Sequence, residues 1–175
     1  MKRIAIAAAA ALLMIGSAQA QQATASPLYG ELGYSFVQIK ESTTGFNATP
    51  QALRGIIGYN FHPYFAGEAM VAIGTNSDSD LGVDAKLKNA FGLFIKPKYD
   101  FNNFEVFGRL GWVRTKLKAS GNGFTVSDSD NDFAYGLGVN YNFNPRTYAG
   151  IDYMRQYDKD GLKIDGWTIN VGYRF

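Results

Sequence analysis

The sequence has no cysteine and only one histidine, His62, in 175 residues. Without cysteine, an exported chain can form neither a disulfide framework nor a thiol centre. A single imidazole also leaves no histidine cluster for a metal site. Beyond residue 20 there is no run of 18 apolar residues, which excludes a membrane protein built from spanning helices.

The first 20 residues have the features of a secretory signal peptide. Lys2 and Arg3 precede an apolar run, and Ala18-Gln19-Ala20 is a small-x-small cleavage site. We expect cleavage after Ala20, so that residues 1–20 are the signal and residues 21–175 form a single domain. Because Lys2 and Arg3 account for the formal net charge of +2, the remaining chain is neutral, which excludes a basic nucleic-acid-binding domain.

The composition favours β-structure. The chain holds 13 Phe, 11 Tyr, 2 Trp and 20 Gly; aromatic residues suit pleated sheets, and Gly suits turns. Period-2 alternation of apolar and polar residues predicts eight strands. The predicted strands are Leu28–Lys40, Gln51–Asn60, Tyr64–Gly74, Asp84–Tyr99, Phe104–Lys118, Asp132–Asn142, Thr147–Tyr157 and Lys163–Phe175.

The connections between these strands alternate in length. Three are long and polar: Glu41–Pro50, Thr75–Val83 and Ala119–Asn131. Three are short and built from Asn, Asp and Pro: Phe61–Pro63, Asp100–Asn103 and Phe143–Arg146. Long loops alternating with tight turns are typical of an up-and-down barrel in an outer membrane, and only the short connection Asp158–Leu162 departs from that pattern.

Two barrel architectures share this alternation. A soluble ligand-binding barrel points its apolar face inward, whereas a membrane barrel points it outward and flanks it with aromatic girdles. In the last predicted strand, Trp167 and Tyr173 flank Ile169 and Val171 on one face, while the other face carries Thr, Asn, Gly and Arg. This favours the membrane version: an all-β, eight-stranded, antiparallel up-and-down transmembrane β-barrel, closed because only a closed sheet satisfies its backbone in lipid.

From Leu28 to Phe175 the chain resembles the small eight-stranded outer-membrane barrels of Gram-negative bacteria, of the OmpX and OmpA-transmembrane-domain type. The most specific feature is the every-second-residue apolar pattern at the C-terminus, formed by Trp167, Ile169, Val171, Tyr173 and Phe175. In that family this pattern is the signal read by the barrel assembly machinery. The resemblance therefore implies a monomer in the outer membrane, with the assembly machinery and periplasmic chaperones as partners during export.

Strand parity predicts which charged side chains point into the barrel. The predicted interior charge network is Glu31, Arg54, Glu68, Lys88, Lys98, Glu105, Arg109, Asp152 and Arg174, with Lys96 on the same parity. An isolated buried charge is costly, so we expect pairs, and folding the hairpins predicts Arg54 with Glu68 and Lys98 with Glu105. Pro97 predicts a bulge or an early end in its strand.

This network has two interpretations. It either plugs the barrel or lines a polar path for ions. The interior of an eight-stranded barrel is just wide enough for side chains to fill, which favours the plug.

Five basic residues fall on the outward parity, each in the half of its strand nearest the long loops: Lys40, Arg114, Lys116, Arg155 and Lys163. A basic residue at the membrane interface costs almost nothing. These side chains either form a collar that binds the phosphates of lipopolysaccharide in the outer leaflet or are long side chains snorkelling beside polar loops.

The sequence indicates no catalytic or metal-binding constellation. His62 lies in the tight turn Phe61-His62-Pro63-Tyr64, where a polar turn residue is expected. The stretch Asp128-Ser-Asp130-Asn-Asp132 begins like a calcium loop but has Phe133 and Val139 where Gly and Glu are required. We therefore expect no enzyme, cofactor or metal, but a structural or surface-interaction protein of the outer membrane, with a narrow porin-like channel as the alternative.

Overall fold

The computed structural model describes residues 26–41, 47–76, 78–80, 83–121, 124–159 and 162–175. These residues form ten strands: β1 (Leu28–Glu41), β2 (Asn47–Ala48), β3 (Gln51–His62), β4 (Phe65–Gly74), β5 (Asp78–Asp80), β6 (Val83–Phe101), β7 (Phe104–Gly121), β8 (Phe124–Asn142), β9 (Thr147–Lys159) and β10 (Leu162–Arg174). None of the described residues belongs to a helix that could span a membrane.

Eight long strands close into an antiparallel barrel. Each pairs with its neighbour along the chain, and β10 returns to β1 in a ladder that runs from Tyr29↔Arg174 to Glu41↔Leu162. The short strands β2 and β5 add to β1 and β6. Closure pairs the strands that would otherwise be free edges, and the predicted eight-stranded up-and-down barrel is confirmed.

The short connections lie at one end of the barrel, which we call the turn end; the opposite end is the loop end. Phe101 pairs with Phe104, leaving a two-residue turn. Asn102 in that turn has a φ of 54°, a left-handed conformation that asparagine tolerates better than most residues. The chain's own C-terminus is also at the turn end, where the Phe175 backbone N–H donates to the Leu28 carbonyl at 3.1 Å.

The hairpin of β7 and β8 is longer than the sequence predicts. Residues Ala119–Asn131 were expected to form a polar loop, but the ladder continues to Gly121↔Phe124. An antiparallel ladder is held by backbone hydrogen bonds, so polar residues can extend it beyond the apolar part of the strands. This prediction is corrected: strand pairing reaches nearly to the tip of the hairpin.

Pro97 neither bulges nor ends its strand. The pairs with β7 pass from Ile95↔Leu110 to Lys98↔Phe107 without a change of register. On the other side, Pro97 is opposite Phe65, the first residue of β4. Proline is tolerated here because it sits where the ladder with β4 is ending.

The two faces of the sheet differ as they do in a membrane barrel, in which the apolar face points outward. Inward residues are buried, while the outward face exposes an aliphatic band that includes Ile57, Leu93, Leu110, Leu137 and Ile169. Exposed rings border this band on both sides. The turn-side girdle includes Tyr59, Phe61, Tyr99, Phe101, Phe104 and Tyr141, and the loop-side girdle includes Phe36, Phe91, Trp112, Phe133 and Trp167.

The spacing of the girdles fits a membrane. On β7, Phe104 and Trp112 are eight residues apart, which corresponds to about 27 Å along the strand. At a strand tilt of about 40°, the height of the band is roughly 20 Å, close to the ~25 Å of outer-membrane barrels.

Candidate functional site

The centre of the barrel interior is occupied by Arg109 on β7. Its Nε donates to Glu68 Oε2 at 2.5 Å, and its Nη2 donates to Glu31 Oε2 at 2.6 Å. Its Nη1 lies 3.1 Å from Asp152 Oδ2. The side chain is only 1% exposed, so one buried guanidinium joins carboxylates from β1, β4 and β9, which compensates the cost of burying its charge.

A second buried cation, Lys96 on β6, lies among three carboxylates. Its Nζ is 2.9 Å from Glu105 Oε1, 3.5 Å from Glu31 Oε1 and 3.7 Å from Glu68 Oε1. The ammonium also lies 4.2 Å from the centroid of the Phe107 ring, within the range of a cation–π contact. Glu31 and Glu68 are thus shared by Arg109 and Lys96.

Arg54 and Asp152 form a pair further toward the loop end of β3, which Arg109 joins to the rest of the network. Arg54 Nη1 donates to Asp152 Oδ1 at 2.8 Å, and Nη2 donates to Oδ2 at 2.5 Å. Asn170 Nδ2 donates to the same carboxylate at 3.2 Å. Both oxygens of Asp152 are therefore bound, in the two-pronged geometry that favours arginine over lysine.

Glu105 binds the basic side chains nearest the turn end. Lys98 Nζ and Arg174 Nη2 lie 3.3 and 3.4 Å from its Oε2. Asn140 Nδ2 donates to its Oε1 at 2.9 Å. The predicted pair of Lys98 with Glu105 is present, although Lys98 is directly opposite Phe107 in the ladder and reaches Glu105 diagonally.

Two buried tyrosines complete the network, and the sequence analysis missed both. Tyr29 donates from its hydroxyl to Glu68 Oε1 at 2.6 Å, and Tyr148 donates to Glu31 Oε1 at 2.9 Å. Inward glycines make room for the rings: a Cβ at Gly58 would collide with Tyr29, and one at Gly172 with Tyr148. Parity could have placed both rings and both glycines inside the barrel, but which glycine faces which ring depends on the register between strands.

An apolar layer lies beside the charges. Its side chains are Ile56, Met70, Phe94, Val113 and Met154, with Ala72, Ala90 and Ala134. On β4, β6 and β9 this layer follows the network by one inward position toward the loop end, at Met70, Phe94 and Met154. The interior is thus filled by two kinds of side chain: charged ones, and aliphatic or aromatic ones.

The structure brings together eight of the nine residues predicted for the interior network, together with Lys96. The exception is Lys88, which is exposed. A register shift between Leu87 and Asn89 places Lys88 in a β-bulge, and a bulge breaks the alternation on which the prediction rested.

The predicted pair of Arg54 with Glu68 is wrong. Glu68 is opposite Gly58 in the ladder, and Arg54 is opposite Ala72. The two residues are therefore four positions apart along the strand, too far for a cross-strand pair. Arg54 binds Asp152, and Glu68 binds Arg109.

The five outward basic residues occupy the loop-end half of their strands, as the parity predicts. Arg114 and Lys116 are exposed on β7, two and four residues beyond Trp112. Lys40 of β1 and Lys163 of β10 are also exposed and are direct partners in the ladder. Like charges directly opposite each other destabilise a sheet, and on its other side Lys163 has the acidic residue Asp158 of β9 as its ladder partner.

Arg155 differs from the other four because an acid lies beside it. Its Nη2 is 3.6 Å from Asp165 Oδ2, and the two side chains are 29% and 13% exposed. The guanidinium also donates to the hydroxyls of Tyr135 and Tyr153, each at 3.4 Å. The sequence analysis counted the outward bases and overlooked Asp165.

The proposed assembly residues form the outward face of β10. Trp167, Ile169 and Val171 are exposed, and Tyr173 packs edge-on against Phe175 with ring centroids 5.5 Å apart.

In the described part of the chain, no group of His, Cys, Asp or Glu is arranged to hold a metal ion. The side chains of Asp128 and Asp130 lie outside the described residues.

Comparison with known proteins gives one family and several similar folds. The profile of the outer membrane protein beta-barrel domain matches residues 7–175. Ail, the attachment invasion locus protein of Yersinia pestis, is 22% identical, with 86% of this chain and 99% of that chain covered and a TM-score of 0.66. Neisserial surface protein A is 16% identical (87% and 100% covered, TM-score 0.65), and OprG of Pseudomonas aeruginosa is 15% identical (86% and 97% covered, TM-score 0.60). No curated protein matches the sequence.

Proposed function

Because the chain belongs to the outer membrane protein beta-barrel family, we propose that it is a non-enzymatic, structural protein of the bacterial outer membrane whose barrel is closed to solutes. Its fold is that of small outer-membrane barrels, and the residues on its outward face suit a lipid environment. The proposal concerns what this barrel does in the membrane: it spans and stabilises the bilayer without conducting.

The observation that carries this proposal is the burial of the interior charges. Glu31, Glu68, Lys96 and Arg109 have side chains that are at most 2% exposed, and each is bound by partners from other strands. An ion crossing the barrel would have to separate these pairs. Because breaking a buried pair costs about 3–5 kcal/mol, the network acts as a plug rather than as a lining.

The apolar layer supports the same conclusion. Phe94, Met70 and Met154 are 2–4% exposed, so they pack against neighbours instead of facing a water column. Aliphatic side chains at a constriction exclude ions because these side chains cannot replace the water molecules that hydrate an ion. A solute would therefore meet two successive barriers of different chemistry.

A narrow channel remains the second candidate, and one observation favours it. A cavity of about 500 Å³ opens at the turn end, lined by residues that include Lys98, Asn142, Phe143 and Arg174. Lys98 and Arg174 are 10% and 19% exposed, more than the charges deeper in the barrel. Water can reach this first part of the network, and a channel would require the path to continue past Lys96 and Arg109.

We further propose that the loop end faces the outside of the cell and that its basic residues bind lipopolysaccharide phosphates. Lys40, Lys163, Arg114 and Lys116 lie beyond the loop-side girdle, and no basic residue occupies the outward face of the described strands in their turn-end half. Snorkelling alone would allow basic residues at both interfaces, whereas phosphate binding accounts for the one-sided placement.

The test of the closed barrel is conductance across a planar bilayer. The purified parent protein should insert without opening steady channels. Steady, repeated openings would support the channel instead.

A further inference from the structure

The outer wall of the barrel carries a depression on β8, β9 and β10. It has a volume of about 430 Å³ and is lined by Leu137, Gly138, Val139, Ile151, Tyr153 and Trp167. The ladder aligns Leu137, Tyr153 and Trp167 in one row and Val139 with Ile151 in the next row toward the turn end. The depression therefore lies in the outward aliphatic band, just below the loop-side girdle, where its surroundings are lipid hydrocarbon.

A polar row borders this depression on its loop side. Tyr135, Arg155 and Asp165 are consecutive partners across β8, β9 and β10. This row is two residues from the row of Leu137, Tyr153 and Trp167, which corresponds to about 7 Å along a strand. A shallow, open apolar depression with charged groups along one side has the chemistry that an amphiphile requires.

The charges in this row define the headgroup. Arg155 can bind phosphate oxygens. Asp165 is the only acid on the outward face among the side chains that the structure describes, and a carboxylate accepts hydrogen bonds from hydroxyl or amide groups. A guanidinium and a carboxylate side by side suit a headgroup with a phosphate next to sugar hydroxyls, because the hydroxyls donate to the carboxylate while the phosphate binds the guanidinium.

We propose that this wall binds one molecule of a phosphorylated glycolipid. One acyl chain fills the depression against Trp167, the phosphate binds Arg155, and a sugar hydroxyl or amide donates to Asp165. The inference rests on the proposed outward orientation of the loop end, since the outer leaflet is where lipopolysaccharide supplies such a headgroup. It differs from the basic positions Lys40 and Lys163 because it has its own apolar depression.

The adjacent wall at β7, which pairs with β8, offers a comparison. Trp112 on β7 belongs to the same girdle, packs edge-on against Phe133 at 5.7 Å, and is followed two residues later by a basic residue, Arg114. Trp167 packs against Tyr153 at 5.1 Å. Because these are the only two tryptophans in the chain, Trp112→Phe and Trp167→Phe give two proteins that each report on one wall.

The experiment is a titration of each single-tryptophan protein, folded in detergent micelles, with purified lipopolysaccharide. Trp167 emission should shift and saturate. Trp112 emission should respond only through the neighbouring bases, so that Arg114→Gln with Lys116→Gln should abolish the response at Trp112 and leave that at Trp167. Asp165→Asn and Arg155→Gln should each move the Trp167 midpoint about tenfold higher, the effect expected from losing one charge-assisted hydrogen bond. Arg146→Gln, at an exposed base of the turn end, should leave that midpoint unchanged.

Three results would overturn the inference. A response at Trp112 that survives Arg114→Gln with Lys116→Gln and equals that at Trp167 would show an ordinary lipid annulus. An equal midpoint with a zwitterionic phospholipid, in place of lipopolysaccharide, would show no selectivity for a glycolipid. No response at Trp167, in a protein that lipopolysaccharide still stabilises against heat, would remove this site while leaving the basic positions of the proposed function intact.

Discussion

Arg54 and Asp152 bind each other across the barrel, from β3 to β9, two strands that share no ladder. The pair is separated by 98 positions in the sequence, and both residues are at most 4% exposed. It therefore fastens opposite walls together, a role that backbone hydrogen bonds between neighbouring strands cannot fill.

The first prediction concerns this pair. Arg54→Met should lower the free energy of unfolding by about 3–5 kcal/mol, because it leaves the Asp152 carboxylate buried with fewer cations around it. The double variant Arg54→Met with Asp152→Leu should recover much of that loss, since it removes both charges. Urea unfolding followed by tryptophan fluorescence measures both. A single variant as stable as the parent would show that the pair contributes nothing.

The second prediction concerns the facing bases at the loop end. Lys163→Gln should change the free energy of unfolding in detergent by less than about 1 kcal/mol, because it removes a like charge opposite Lys40 and also the cation opposite Asp158 on β9. Added lipopolysaccharide should raise the melting temperature of the parent more than that of the variant. Arg146→Gln, at an exposed base in a turn at the other end, is the control and should keep the full gain. If Lys163→Gln and the double variant Arg114→Gln with Lys116→Gln both keep the full rise in melting temperature, the bases do not bind phosphate. They would then be side chains that only snorkel beside the loops.

These bases illustrate what sequence parity can and cannot provide. Alternation placed all five outward and toward the loops, because side-chain direction depends only on position along a strand. It could not show that Lys40 and Lys163 are partners or that Asp165 neutralises Arg155, since both facts depend on the register between strands.

The interior residues also divide into those that sequence parity predicts and those that depend on the register and curvature of the sheet. The pair of Lys98 with Glu105 was predictable because a short turn joins β6 and β7 and brings the two residues together. The pair of Arg54 with Asp152 crosses the barrel, so it depends on how the whole sheet curves. Lys88 was misplaced because one bulged residue reverses the parity. The strand count and closure were predictable because alternation repeats in every strand and turn residues separate them.

The third prediction concerns Phe175, which the resemblance marks as part of the assembly signal. Deleting Phe175 should leave refolding in detergent nearly intact, since its backbone adds only two hydrogen bonds, with Leu28 and Ser26, at the end of β10. It should lower the amount of protein in the outer membrane of cells. Phe143→Ala, at an exposed aromatic position of the same end, should not lower it. Equal losses in refolding and in cellular level would assign Phe175 to stability instead.

The fourth prediction concerns the N-terminus. Cleavage after Ala20 should give a protein in the outer-membrane fraction that starts at Gln21. Intact-mass spectrometry distinguishes this from the uncleaved chain, and Ala18→Leu should slow processing because the site requires small residues. A purified protein with the mass of the full chain would contradict the assignment.

The measurement that tests the closed barrel most directly is single-channel recording in 1 M KCl, with a known porin added afterwards to the same bilayer to show that openings can be detected. The parent protein should insert and remain silent, because ions would have to separate Arg109 from Glu31 and Glu68 and then pass Phe94 and Met70. Steady openings of the parent, with an ion selectivity that changes in Glu105→Gln, would show ions moving through the network and would contradict the account.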